Sequence, residues 1–222
     1  MRTALITGAS RGIGAAIADA LAPTHTLLLA GRPSPALQAT AEQLGATTLP
    51  LDVTDADAIA DATATIGELD VLVHNAGVSL PGRIAESTVE QWRTTFDVNV
   101  VGAVAVTLAL LPALRKAHGQ VVFINSGSGR KASENMASYS ASKFALRAFA
   151  DSLRLSEPDL RVTTVYPGRT DTDMQRELVS YEGGDYDAAK FLRAETVAAA
   201  VAQAVATPPD GHLQEVILRP RG

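Results

Sequence analysis

The 222-residue chain contains no cysteine, which excludes disulfides and thiolate metal sites outright. Its four histidines (His25, His74, His118 and His212) are scattered without metal-ligand spacing, so no metal site is expected. Basic charge is scarce as well. The net charge is -5, the pI is about 5.4 and no basic stripe or tail occurs, which argues against nucleic acid as a partner. The start of the chain, MRTALITGAS, lacks the charged region and long apolar run of a signal peptide. The longest apolar stretch, 98–111, is interrupted by Asn99, Gly102 and Thr107 and reads as too short to span a bilayer. A cytoplasmic protein with no membrane partner is expected.

What is present is a regular alternation. Short β-like runs occur at 3–7, 26–31, 47–52, 69–74, 120–125, 161–166 and 215–219, most of them continuously apolar. Such runs suit strands covered on both faces. Between them lie alanine-rich segments of helical period, such as 13–21 and 92–116. The pattern predicts one α/β domain over 1–222, a mainly parallel sheet of about seven strands with helices on both faces. Residues 171–192 mix Gly183-Gly184 with charges at weak periodicity, and predict a mobile loop over the carboxyl ends of the strands.

The first run enters a glycine-rich turn, GASRGIG, and then a helix. Gly8, Gly12 and Gly14 permit a tight turn whose backbone N–H groups face an anion at the helix N-terminus. Their spacing is G-x-x-x-G-x-G, so a turn needing glycine only for its shape stays open. After the second run comes Arg32, where NAD-preferring enzymes hold an acid for the ribose hydroxyls. Arg32 and Arg11 converging would suit a 2′-phosphate; two solvated surface arginines are the bland alternative.

Tyr139 and Lys143 stand one helical turn apart. Four tyrosines and four lysines supply roughly 0.07 such pairs by chance. A surface contact remains possible for the pair alone, so context decides. Ser126 ends the fifth run thirteen residues upstream, with Ser128 as a rival hydroxyl, and Asn99 opens the long central helical stretch. Trp92 and Phe96, four apart, read as core packing.

Over nearly its whole length the chain resembles the short-chain dehydrogenases/reductases in their compact single-domain branch. The resemblance rests on TGASRGIG (7–14), LDVT (51–54), HNAG (74–77), DVNVVG (97–102), INS (124–126), YSASK (139–143) and YPGRTDT (166–172). It implies a Rossmann-like doubly wound fold and a reversible NADP(H)-dependent carbonyl reductase. Tyr139 would be the general acid/base, its phenol made more acidic by Lys143. Lys143 would also bond the nicotinamide ribose, Ser126 would hold the substrate oxygen, and Asn99 would position a water linking Lys143 to solvent. The resemblance places the cofactor against Gly8, Ser10, Arg11, Gly12, Ile13 and Gly14, with Arg32 beside them. Asp52 and Val53 would flank the adenine, while Asn75, Ala76 and Gly77 close the site. Pro167, Gly168, Thr170 and Thr172 would face the nicotinamide. His74 replaces the first Asn of the family's commoner NNAG.

On a helical wheel of 139–155, Tyr139, Lys143, Leu146, Ala150 and Leu153 share a face. Ser140, Arg147, Asp151 and Arg154 form a polar face, and Ala141, Phe144, Ala145, Ala148 and Leu155 a second apolar one. A second apolar face needs a second cover. A homodimer or homotetramer through 92–117 and 139–157 is expected. Epimerisation or dehydration on the same scaffold, and a non-catalytic NADP(H) sensor, are the rival readings; the intact Tyr–Lys pair speaks against the sensor. Substrate choice would fall to 128–137 and 171–192.

Overall fold

The computed structural model describes residues 1–221. Seven strands form one parallel sheet: β1 (Arg2–Thr7), β2 (His25–Gly31), β3 (Thr47–Pro50), β4 (Val71–His74), β5 (Gln120–Ile124), β6 (Arg161–Pro167) and β7 (Glu215–Leu218). Their order is β3-β2-β1-β4-β5-β6-β7. The chain builds outward from β1 in one direction, then returns to build from β4 in the other. The switch between β1 and β4 opens the crevice in which such sheets bind ligands.

Alternation along each strand feeds two apolar layers. Ala4 and Ile6 of β1 pack with Val71, Val73, Val122 and Val165 beneath α1 (Gly12–Leu21) and α8 (Ala194–Ala206). Leu5 turns the other way, joining Leu72, Val121 and Phe123 beneath α5 (Gly102–Ala117) and α6 (Ala137–Ser156). Both faces being covered explains why the strands are continuously apolar. The remaining helices are α2 (Pro35–Leu44), α3 (Ala56–Thr63), α4 (Val89–Phe96) and α7 (Asp173–Tyr181). Their ends follow local chemistry. Ser34 caps α2 ahead of Pro35, and Gly45 closes it with φ 61°. Thr88 and Gln91 form a reciprocal capping box on α4.

All seven anticipated strands are present, with ends shifted by up to two residues. Two expectations need correction. The central helical segment begins at Val89, not Trp92, and runs through a π-helical turn at Asp97–Val101 into α5. The resulting 29-residue span, Val89–Ala117, is by length and hydropathy long enough to cross a membrane. Its inner face nevertheless carries Val106, Leu110, Ala113 and Leu114 into the core, as a sheet-covering helix does. The second concerns 171–192, expected as a loop of weak periodicity. It carries α7, whose first turn is capped by Thr172. The Asp171 carboxylate accepts from the Tyr186 hydroxyl and from Arg176, whose guanidinium lies 4.1 Å from the Tyr186 ring centre. Charge pairing and cation–π contact brace a helix whose buried face includes Val179.

Candidate active site

The turn between β1 and α1 is made of backbone. Gly8 and Gly12 have φ of 66° and 56°, a region that L side chains avoid. A Cβ on Gly14 would lie 2.2 Å from the Gly8 carbonyl oxygen, and one on Gly8 would lie 2.9 Å from Ala76 Cα. The turn therefore folds tightly on itself and against the end of β4. Asn75 fixes it there, its Nδ2 donating to the carbonyls of Thr7 (3.1 Å) and Gly8 (2.9 Å). Thr7 Oγ1 returns the tie by accepting from the N–H groups of Asn75 and Ala76. Among the described residues no side chain caps α1, which leaves the N–H groups of its first turn without a side-chain acceptor. A cradle too tight for any Cβ, ending in uncapped N–H donors, fits the pyrophosphate of a dinucleotide. Ser10 and Ile13 belong to the same turn, Ile13 packing partly on the core.

Around this cradle the expected residues take different parts. The Asp52 carboxylate accepts from the N–H and hydroxyl of Thr54, which hold it below the usual carboxylate range, with Arg32 adding a smaller pull. Val53 packs against the start of α5, where a Cβ on Gly102 would come 2.7 Å from its carbonyl oxygen. Thr170 is buried and donates to the Gly168 carbonyl; Thr172 sits 3.3 Å from the space a Gly12 Cβ would fill. Of the two arginines expected at a 2′-phosphate, one already has a partner. Arg11 turns to Asp173 on α7, at 3.1 Å, while Arg32 is exposed and makes no ion pair among the described residues.

The second cluster is made of side chains. Ser126 ends the loop after β5, and its Oγ accepts from Ser128 N at 3.1 Å. The Ser126 hydroxyl lies on the Tyr139 side of this turn and favours the ionised form of its phenol. Lys143 is only 4% exposed; its Nζ donates to the Ile124 carbonyl at 3.0 Å and lies 5.6 Å from the Tyr139 ring centre. Burial lowers Lys143 to about 8. The same burial raises the Tyr139 phenol, with the Ser126 hydroxyl pulling the other way. The expectation that Lys143 makes Tyr139 more acidic is not met with protein groups alone: burial raises the phenol, and the group that pulls it down is Ser126.

Asn99 is 1% exposed, and both ends of its amide are committed. Oδ1 accepts from Val78 N (2.8 Å), while Nδ2 donates to Val78 O (2.9 Å) and Ser142 Oγ (3.0 Å). Ser142 Oγ in turn donates to the Tyr139 carbonyl at 2.7 Å. The Asn99 side chain therefore locks the strand-end turn to α6. A Cβ on Gly77 would lie 3.2 Å from Asn99 Oδ1, so Gly77 admits this contact.

Sequence reading passed over two residues of the cluster. Asn125 is buried; its Nδ2 donates to the Lys143 carbonyl (3.0 Å) and its Oδ1 accepts from Ser126 N (2.8 Å). One amide thus ties the Ser126 backbone to the Lys143 turn of α6. Ser142 is the other. Both stand inside motifs already singled out, but only their partners, 18 and 43 residues away, give them a role.

A phosphate-type cradle at one strand end and a Ser–Tyr–Lys cluster at another, across one parallel sheet, define a nucleotide-dependent oxidoreductase of the Rossmann type. A profile of the short chain dehydrogenase family matches residues 2–183, and the chain belongs to that family. An uncharacterized oxidoreductase of Staphylococcus epidermidis is 36% identical over 229 aligned positions, covering 99% of this chain and 97% of that protein. Among solved structures, an alcohol dehydrogenase from the archaeon Thermococcus sibiricus, complexed with 5-hydroxy-NADP, superposes with a TM-score of 0.90 at 29% identity, covering all of both chains. A single-residue variant of the actinorhodin polyketide ketoreductase, with NADPH, superposes at 0.89 with 26% identity, over 97% of this chain and 95% of that one.

Proposed function

We propose that this chain is an NADP(H)-dependent reductase that interconverts a carbonyl compound and its secondary alcohol, with Tyr139 as the general acid/base. One observation carries the reading: Ser126, Tyr139 and Lys143 converge on one corner, the Ser126 hydroxyl acting on the Tyr139 phenol and the Lys143 ammonium 5.6 Å from its ring centre. Bound nicotinamide supplies or takes up the hydride. Ser126 orients the substrate oxygen, and Tyr139 holds a proton at its Oη ready for that oxygen. A phenol raised by burial stays protonated at neutral pH, which suits the acid role in reduction. Lys143, at about 8, keeps its ammonium at neutral pH to stabilise charge developing on Oη. Arg32, free of ion pairs among the described residues, supports choice of the 2′-phosphorylated cofactor. So do the NADP-type ligands in the two structures named above.

NADPH consumption against a panel of ketones, aldehydes and quinones tests this. Tyr139→Phe should lose about 10²- to 10⁴-fold in kcat while still binding NADPH. A variant as fast as wild type would remove Tyr139 from the chemistry.

A second copy of the chain is proposed to cover the outer faces of α5 and α6. Leu108 (62% exposed) on α5 and Leu155 (84%) and Phe144 (41%) on α6 leave an apolar surface there. Sedimentation should show a dimer or tetramer at micromolar concentration; a monomer would sink this part.

A further inference from the structure

Asn125 joins the Ser126 loop to α6 from inside the fold. A separate set of contacts joins the same two pieces from outside, toward the β7 edge, and the chemistry above leaves it unused. Glu215, the first residue of β7, places its carboxylate among three donors. Arg130 Nη1 lies at 2.7 Å, the Tyr166 hydroxyl at 3.0 Å and Arg147 Nη2 at 3.6 Å. Arg130 ends the short 3-10 turn Gly127–Gly129 that Ser126 begins. Arg147 lies on α6 one helical turn beyond Lys143. Tyr166 of β6 is fully buried, and the Arg130 guanidinium lies 5.1 Å from its ring centre. Burial and the neighbouring carboxylate push the Tyr166 phenol up to about 12, so it remains a donor at any working pH.

Two guanidinium groups, one on the loop and one on the helix, thus meet over the Glu215 carboxylate, while Arg147 also keeps Asp151, one turn along α6, at 3.8 Å. With the carboxylate present, both pieces are drawn toward the same point. Without it, Asp151 still faces Arg147 but Arg130 loses its carboxylate, and the remaining repulsion between the two guanidinium groups pushes the loop away from the helix. Glu215 is a third exposed, so its worth to overall stability is modest. Its position matters more, because displacing a reacting group by about 1 Å can cost on the order of 10²-fold in rate.

We propose that Glu215 is a positioning residue, whose carboxylate sets the spacing between the Ser126 loop and the Tyr139–Lys143 turn of α6 through Arg130 and Arg147. The inference rests on the role of Tyr139 given above.

The test is Glu215→Gln, which keeps the shape and removes the charge. We expect kcat to fall about tenfold. The NADPH dissociation constant should change less than about twofold, since the glycine turn lies at a different strand. Two further readouts separate positioning from general damage. Salt at about 0.5 M should restore part of the lost kcat by screening Arg130 from Arg147. The double variant Glu215→Gln/Arg130→Gln, which removes one of the facing charges, should turn over faster than Glu215→Gln alone. Unchanged kcat in Glu215→Gln would overturn the inference. So would a loss accompanied by weakened NADPH binding or altered sedimentation, or one that neither salt nor the second substitution relieves. If Tyr139→Phe turns over like wild type, the underlying chemical reading fails; if Tyr139 is required and Glu215 is not, only this inference falls.

Discussion

The two halves of the site lie at carboxyl ends of strands of one sheet, yet they are built by opposite means. The glycine turn after β1 is defined by atoms that are missing: no Cβ fits at Gly8 or Gly14, and no side chain caps α1. The corner after β5 is defined by atoms that are all spoken for. Asn99, Asn125, Ser126, Ser142 and Lys143 each carry a polar group into the interior and bond it there. A cofactor phosphate needs backbone donors and room to approach them. A proton donor needs one fixed distance and one protonation state, which a fully satisfied network of buried side chains supplies.

This contrast predicts how each half breaks, and the turn should break harder. In Gly14→Ala the new methyl would sit 2.2 Å from the Gly8 carbonyl oxygen, with Asn75 Nδ2 at 2.5 Å on another side. Backbone must move, so we expect a loss of about 3 kcal/mol or more in urea unfolding and no measurable NADPH binding. An alanine variant that binds cofactor like wild type would show that the turn is not the tight cradle described.

The floor of the corner should fail more gently, and only in acid. His74 is buried, its Nε2 is 2.8 Å from Thr107 Oγ1, and its ring stacks on Phe123 at 4.8 Å. Thr107 already donates to the Ala103 carbonyl, so His74 is the donor of the pair. Burial lowers its pKa to about 3 from the ordinary 6.5. Below pH 6.5 the unfolded chain takes up a proton that the folded one refuses. The stability from neutral His74 is therefore complete above pH 6.5 and is lost as pH falls toward 3. At pH 4.5 the loss should be roughly 2–3 kcal/mol. His74→Asn should flatten that part of the curve when unfolding at pH 7 is compared with pH 4.5; an equally steep decline in the variant would place the acid sensitivity elsewhere.

The contrast also explains what could be read from the chain. Strands covered on both faces announce themselves as apolar runs, and the glycine turn by its position between β1 and α1. Tyr139 and Lys143 were legible because one helical turn separates them. Asn125 was not, since nothing in Ile-Asn-Ser says that its amide will meet a carbonyl 18 residues on. The pairing of Arg11 with Asp173, 162 residues away, was equally hidden. Helix α7 was hidden because its short apolar face, with Val179 buried, is embedded among charges and next to Gly183-Gly184, and Asp171, Arg176 and Tyr186 brace it through contacts made only in the fold. The direction of the Tyr139 shift was misjudged for a related reason. A nearby ammonium is visible in sequence, whereas the burial that raises the phenol emerges only from packing.

The smallest effect expected lies at the rim of the cradle, where neither missing atoms nor buried networks decide. Arg32 is exposed at the end of β2, close enough to Asp52 to help lower its pKa. Arg11, the other candidate for a 2′-phosphate, is engaged with Asp173. If Arg32 provides the phosphate contact, Arg32→Asp should cut the NADPH-over-NADH ratio of kcat/KM by about tenfold, or roughly 1.4 kcal/mol. The acid then stands where ribose hydroxyls are bonded in NAD-preferring enzymes. Folding stability should barely move, because a solvated guanidinium contributes little to it. An unchanged ratio would instead assign the phosphate to Arg11. In that case Asp173→Asn, by releasing Arg11 from its partner, should raise the preference for NADPH, and the helix α7 that closes on the turn would become part of cofactor selection.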